Sequence, residues 1–163
     1  MNPVTATFTR PADTNVYASG DLVSNNTVAG SVVPLSFPVG KPVFPIRRVK
    51  IKKSGTVVTS AQFRLHLYTS SPTSANGDNG VWSTTESGYL GFVDVTIDKA
   101  FSDGAAGHGA PSLGQEINAN VNGIAQTGAF TIYGLLEARA AYTPTSGEIF
   151  TVSLEIQATP VGY

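Results

Sequence analysis

The side chains that could carry chemistry in this sequence are few and scattered. Its two histidines, His66 and His108, have neither a second histidine nor a cysteine at metal-ligand spacing, and cysteine is absent from the chain. A zinc site or a thiolate nucleophile therefore has no donor set to start from. Carboxylates offer more. Asp94, Asp98, Glu116, Glu137, Glu148 and Glu155 lie in or beside apolar segments, so two of them could meet across a sandwich at the roughly 5–10 Å of a glycosidase pair. The plainer account is that acidic residues populate the solvated faces of strands. No Gly-x-Ser-x-Gly elbow and no Gly-rich loop opening a helix occurs, which removes the usual serine-hydrolase and nucleotide signatures. "NGDNG" at 76–80 supplies oxygen ligands of the kind calcium takes. It lacks the Asp-x-Asp-x-Asp-Gly order and the bidentate Glu at the twelfth position, and reads as a turn. No catalytic residue, metal ligand or cofactor is assigned.

Charge is concentrated in one place. Arg47, Arg48, Lys50, Lys52 and Lys53 supply half of the ten Lys and Arg residues. One reading is a solvated strand face whose lysines discourage edge-to-edge pairing. The other is a docking patch for an acidic protein surface, where complementary charge sets orientation and encounter rate. Nucleic acid is not expected as a partner, because a formal net charge of -1 leaves no broad basic field to collect phosphate. Trp82, the only tryptophan, closes a polar loop, where it could anchor an interface, stack on a sugar or simply pack the loop.

Composition says what must position these residues. At 163 residues the chain is the size of one domain. Charged residues make up 13%, roughly half the usual share, and Gly, Ser, Thr and Asn fill the gap. Thr and Val suit a pleated, half-buried surface, while Gly, Asn, Asp and Pro supply turns. The N-terminus "MNPVTATFTRPADTNV" has neither a basic n-region nor an apolar h-region, and no run approaches a bilayer-spanning length, so no membrane partner is expected and a cytoplasmic site of synthesis without Sec export is the simplest reading.

Alternation at period two marks the strands. In "IRRVKIKK" (46–53), Val49 and Ile51 oppose Arg48, Lys50 and Lys52, with Arg47 and Lys53 breaking the partition. Phe63, Leu65 and Leu67 oppose Arg64, His66 and Tyr68; Val93, Val95 and Ile97 oppose Phe92, Asp94 and Thr96. Val49, Ile51, Phe63, Leu65, Leu67, Val93 and Val95, together with Phe150, Val152, Leu154 and Ile156, are the expected core. Residues 1–12 form an N-terminal arm or strand that pairs with the chain's own sheet or a neighbour's, and 13–163 a single domain. Segments 129–142 and 148–157 read as a hairpin joined by "TPTSG", with a short helix over "GLLEARAA" as the competing assignment. In the Gly- and Ala-rich 98–128, "QEINANVNG" reads as a weak edge strand and the part before it as a mobile excursion. The sum is an all-β fold, an antiparallel β-sandwich or jelly roll of about eight strands.

The stretch 63–95, "FRLHLYTSSPTSANGDNGVWSTTESGYLGFVDV", resembles a recurrent pattern in small structural proteins of tailed bacteriophages. The matching positions are Leu65, Leu67 and Tyr68 at the end of a strand, then the Pro72-Thr73 step. Asp78 and Asn79 follow, before the aromatic Trp82, and Leu90-Gly91 opens the next strand. The sequence departs from the pattern by inserting Gly77 and Gly80 around the Asp-Asn pair. "ARAAYTPTSGEIFTVSL" at 138–154 is similar to the closing hairpin of such proteins. The resemblance implies a capsid decoration or cement protein of jelly-roll type with no enzymatic activity. Such a protein binds the major capsid protein on the outside of the head, commonly as a homotrimer. Its place is the virion exterior after synthesis in the host cytoplasm. The alternative is a receptor- or carbohydrate-binding jelly roll of a phage tail or tail fibre, which should gather several aromatics on one sheet face or loop rim. The single tryptophan and dispersed tyrosines do not show that gathering in the sequence.

Overall fold

Residues with apolar side chains at every second position can hide them only by laying one strand face against another sheet, and this dictates the architecture. A computed structural model describes residues 2–39, 45–112, 117 and 130–157. Among these are ten strands: β1 (Asn2–Thr9), β2 (Leu22–Val23), β3 (Leu35–Pro38), β4 (Ile46–Lys53), β5 (Gln62–Tyr68), β6 (Tyr89–Thr96), β7 (Lys99–Phe101), β8 (Gly104–Gly109), β9 (Thr131–Ala138) and β10 (Ile149–Ile156). The first sheet runs β1-β10-β4-β8-β7; the second runs β2-β9-β5-β6, with β3 also paired to β9. All pairings are antiparallel. The two sheets face each other as a β-sandwich, and no described helix is long and apolar enough to cross a membrane.

Every residue expected in the core is there: Val49, Ile51, Phe63, Leu65, Leu67, Val93, Val95, Phe150, Val152, Leu154 and Ile156 belong to one buried cluster. Phe63 of the second sheet meets Phe150 of the first edge-on at 5.2 Å, and Phe8 stacks on Phe150 at 5.4 Å. These rings clamp the two layers together. Truncating Phe63 to alanine would cost about 3–5 kcal/mol.

Of the two uses open to the N-terminal segment, the structure shows pairing within the chain: β1 lies antiparallel to β10 from Asn2↔Ile156 to Thr9↔Ile149. That contact leaves the other edge of β1 as an end of the sheet among the described residues. The segments 129–142 and 148–157 do not form a hairpin. β9 belongs to the second sheet and β10 to the first, because each carries its own buried face and one must lie over the other. "GLLEARAA" contributes to strand β9, as the strand reading of 129–142 had it, and not to the competing helix.

The largest departure lies in the stretch read as a mobile excursion, where "GAAGHG" is strand β8, held between β4 and β7. Its small residues serve close approach. A Cβ on Gly107 would collide with the Thr96 carbonyl, and one on Gly109 with that of Asp94, so β8 packs against the backbone of β6. The proposed edge strand "QEINANVNG" lies outside the described residues except for Ile117, which is buried and accepts a hydrogen bond from the Ile46 amide at 3.0 Å.

Candidate functional site

Two irregularities in strand pairing set the positions of the residues singled out above. Between β4 and β10 the register runs Glu155↔Arg48 and then Ile156↔Ile46, so Arg47 is the extra residue of a bulge. That bulge gives two consecutive outward side chains, Arg47 and Arg48, and explains why Arg47 breaks the alternation. Between β5 and β6, Leu67 pairs with Gly91 and Tyr68 with Tyr89, which makes Leu90 the extra residue. Gly91 follows with φ +133°, a backbone conformation that side chains disfavour. The Leu90-Gly91 step is thus a bulge signature.

The five basic residues do not all share one face of β4. Arg48 holds Glu155 in a two-pronged pair at 2.8 and 2.9 Å, and Lys52 holds Asp103 at 2.6 Å. Arg47 donates to the Gln157 side chain at 2.6 Å. Lys50, between them, makes no ion pair among the described residues. Lys53 is removed from any docking face: it shares the inward phase of Val49 and Ile51 and is 1% exposed. Its ammonium donates to the Gly55 carbonyl at 2.9 Å and to Glu148 at 3.2 Å, under the Tyr142 ring. Tyr142 donates to the other Glu148 oxygen at 2.6 Å. Burial pulls the Lys53 pKa down against the opposing pull of Glu148, and pushes the Tyr142 hydroxyl up.

In the 69–88 loop the motif residues turn inward. Asp78 is buried, accepting from Arg10 at 2.9 Å, from the Tyr17 hydroxyl at 2.7 Å and from the Ser24 amide at 2.7 Å. Arg10 also donates to the Tyr17 oxygen and to Asp13. Burial raises the Asp78 pKa, opposed by these donors. Asn79 adopts φ +62°, which asparagine tolerates better than most residues, and its amide nitrogen faces Asp21 and the Val16 carbonyl. Gly77, one of the two inserted glycines, is required because a Cβ there would strike the Thr27 backbone. Pro72 is buried and Thr73 exposed. "NGDNG" is therefore a turn whose carboxylate is used inside the protein.

The outer face of the second sheet gathers what the sequence disperses. His66, at the centre of β5, is 8% exposed. Its Nε2 lies 2.7 Å from Glu137 of β9 and its Nδ1 3.0 Å from the Tyr89 hydroxyl. A carboxylate only accepts, so Nε2 carries a proton. Arg139 donates to the second Glu137 oxygen at 2.8 Å. Burial pushes Glu137 up, but the hydrogen bonds from His66 and Arg139 outweigh it and hold the carboxyl below its ordinary value. Trp82 stacks on the His66 ring with centroids 4.1 Å apart, and Tyr89 tilts against Tyr68 at 5.2 Å. Tyr68 shares a hydrogen bond with Thr84 at 2.9 Å. Beside them Arg64 pairs with Asp94 through two bonds of 2.7 and 2.8 Å and covers the Phe92 ring at 3.7 Å. Arg64's hydrogen bonds hold Asp94 below its ordinary value.

No family model matches this chain, and comparison with curated proteins and with solved structures finds no match.

Among the described residues no group of three or more His, Asp or Glu is placed to hold a metal ion. Asp94, Glu137, Glu148 and Glu155 each face a cation or a histidine. Each of these four carboxylates is thereby engaged by a donor within the protein. Sequence reasoning missed the gathering of aromatics and the partners Arg10, Tyr17 and Tyr89. For the last, the alternation of β5 and β6 carried a usable signal: outward His66 and Phe92 face each other in the register.

Proposed function

We propose that this chain is a non-enzymatic structural protein of a tailed-bacteriophage virion. It decorates the outside of the head and reinforces contacts between major capsid proteins, as a homotrimer with jelly-roll connectivity. What supports this reading most is the use of polar groups in 63–95, the segment that carries the resemblance. Asp78 turns into the protein to meet Arg10, Asn79 faces Asp21 and Val16, and the Leu90-Gly91 step is a bulge. The polar loop is thereby stapled to the N-terminal strand and to the 16–24 segment, as a rigid shape fitted to a partner surface requires.

Two further features agree with it. Among the described residues no strand pairs with the outer edge of β1, where a neighbouring copy could add a strand. Arg48, Lys50 and Lys52 share one outward face of β4, although Glu155 and Asp103 neutralise much of their charge. Multivalent placement on a lattice compensates for modest single contacts. The test is reconstitution: purified chain added to heads that lack it should bind saturably, in multiples of three copies per site, and raise the temperature at which the heads open. Heads that neither bind the chain nor gain stability would defeat the reading.

A further inference from the structure

We propose that the cleft between the 82–89 loop and the outer face of β5 binds a neutral saccharide, one pyranose ring deep. The site stands independently of the capsid reading. Its walls are Trp82, Tyr89, Thr84, Thr85 and Glu86, with His66 and Tyr68 beneath, and its volume is about 220 Å³. That is below the roughly 300–1,000 Å³ of pockets for drug-sized ligands, which selects a single ring over an extended chain.

Sugars present a flat C–H face to an aromatic ring, whose negative π-cloud attracts it, and a rim of hydroxyls to donors and acceptors. Both halves are here. Tyr89 is 37% exposed, and Trp82, with one face on His66, is half-buried and lines the cleft. The Glu86 carboxylate and the Thr85 hydroxyl are exposed and make no side-chain hydrogen bond with any described residue, and the Trp82 indole N–H likewise has no acceptor. These are unfilled hydrogen-bonding groups around an aromatic platform.

The platform is fixed in advance. The chain Arg139–Glu137–His66–Tyr89 runs through hydrogen bonds of 2.8, 2.7 and 3.0 Å and sets the Tyr89 ring. His66 supports Trp82 from behind, and the Trp82 amide donates to the Gly20 carbonyl at 2.8 Å. Little ordering is left for a ligand to impose. An organic cation is the competing occupant, since Glu86 stands beside aromatic rings. A cation cage needs ring faces on several sides, whereas Tyr68 is 2% exposed and the His66 face is covered by Trp82. Only Trp82 and Tyr89 remain, which makes a platform and not a cage.

Trp82 is the sole tryptophan, so its emission reports on this cleft alone. The full chain is titrated with glucose, galactose, mannose, rhamnose and N-acetylglucosamine, and separately with tetramethylammonium. At least one sugar should shift the emission saturably in the millimolar range. Glu86→Ala, whose side chain holds nothing in the fold, should weaken that sugar at least tenfold, as should Tyr89→Ala if its near-ultraviolet spectrum remains native. No saturable response to any of the sugars overturns the proposal, as does a response to tetramethylammonium alone. A sugar response unchanged in Glu86→Ala also overturns it, because the ligand would then lie elsewhere.

Discussion

Arg10, just past the end of β1, and Asp78, at the tip of the 69–88 loop, meet at 2.9 Å with both side chains fully withdrawn from solvent. They are 68 residues apart in the chain. The pair, completed by Tyr17 and the Ser24 amide, joins the first strand of one sheet to a loop springing from the other. A buried charge of this kind is costly to strand, and its partner holds it only while both are present.

Asp78→Asn or Arg10→Met should therefore destabilise the fold by about 3–5 kcal/mol, read as a lower urea midpoint with unchanged slope. Replacing both, as Arg10→Met with Asp78→Leu, should restore part of that loss. A single variant as stable as the wild type would mean that the pair is not buried as described.

Glycines separate two kinds of constraint. Gly107→Ala should destabilise by 1–3 kcal/mol or more, in the manner of overpacking, because the new Cβ has the Thr96 carbonyl in its way. Gly147→Ala meets nothing within 4 Å but carries φ +61°, so its cost should stay near the roughly 1–2 kcal/mol of left-handed strain. Thermal melts of the two variants should rank in that order.

Acidification should loosen the outer face of the second sheet. Glu137 titrates below the ordinary 4.5 in the folded chain, so the unfolded chain binds its proton more readily. The stability it lends is complete above the ordinary range and is lost as pH falls through the depressed folded value. Asp94, held down by Arg64, has the same sign. Asp78, raised by burial, has the opposite sign, which is why a comparison at one residue is needed. The stability difference between wild type and Glu137→Gln, followed in urea from neutral pH to below pH 4, should shrink on acidification. A constant difference would contradict the assigned shift.

Replacing Arg48, Lys50 and Lys52 with Gln should leave the core intact, since these side chains face away from Val49 and Ile51. If they steer docking, head binding by the variant should be slower at low salt. Wild-type binding should itself weaken between about 50 and 500 mM salt, where the Debye length shrinks roughly threefold. Rates independent of both would leave the strand face as a solvated one.

The core was legible in the sequence because alternation depends only on neighbours two residues away: Phe63, Leu65 and Leu67 announce their face without reference to the rest of the chain. What was not legible depends on distant partners. Lys53 reads as one more surface cation until Glu148 and Tyr142 are brought against it. "GAAGHG" has no large apolar side chains to alternate, so its strand shows only once β6 lies over it. The hairpin expected of β9 and β10 failed because two alternating runs joined by a turn can equally belong to facing sheets. At the candidate site His66 stood out as an isolated histidine, but the ring stacked on it, Trp82, comes from a loop whose course is fixed by Asp78 and Gly77.

The most direct test of the central claim is an icosahedral cryo-electron microscopy reconstruction of virions made from the genome that encodes this chain. The expected result is this β-sandwich on the outer head surface, three copies to a site, bridging neighbouring capsid subunits. Heads without this density, or density confined to the tail, would contradict it.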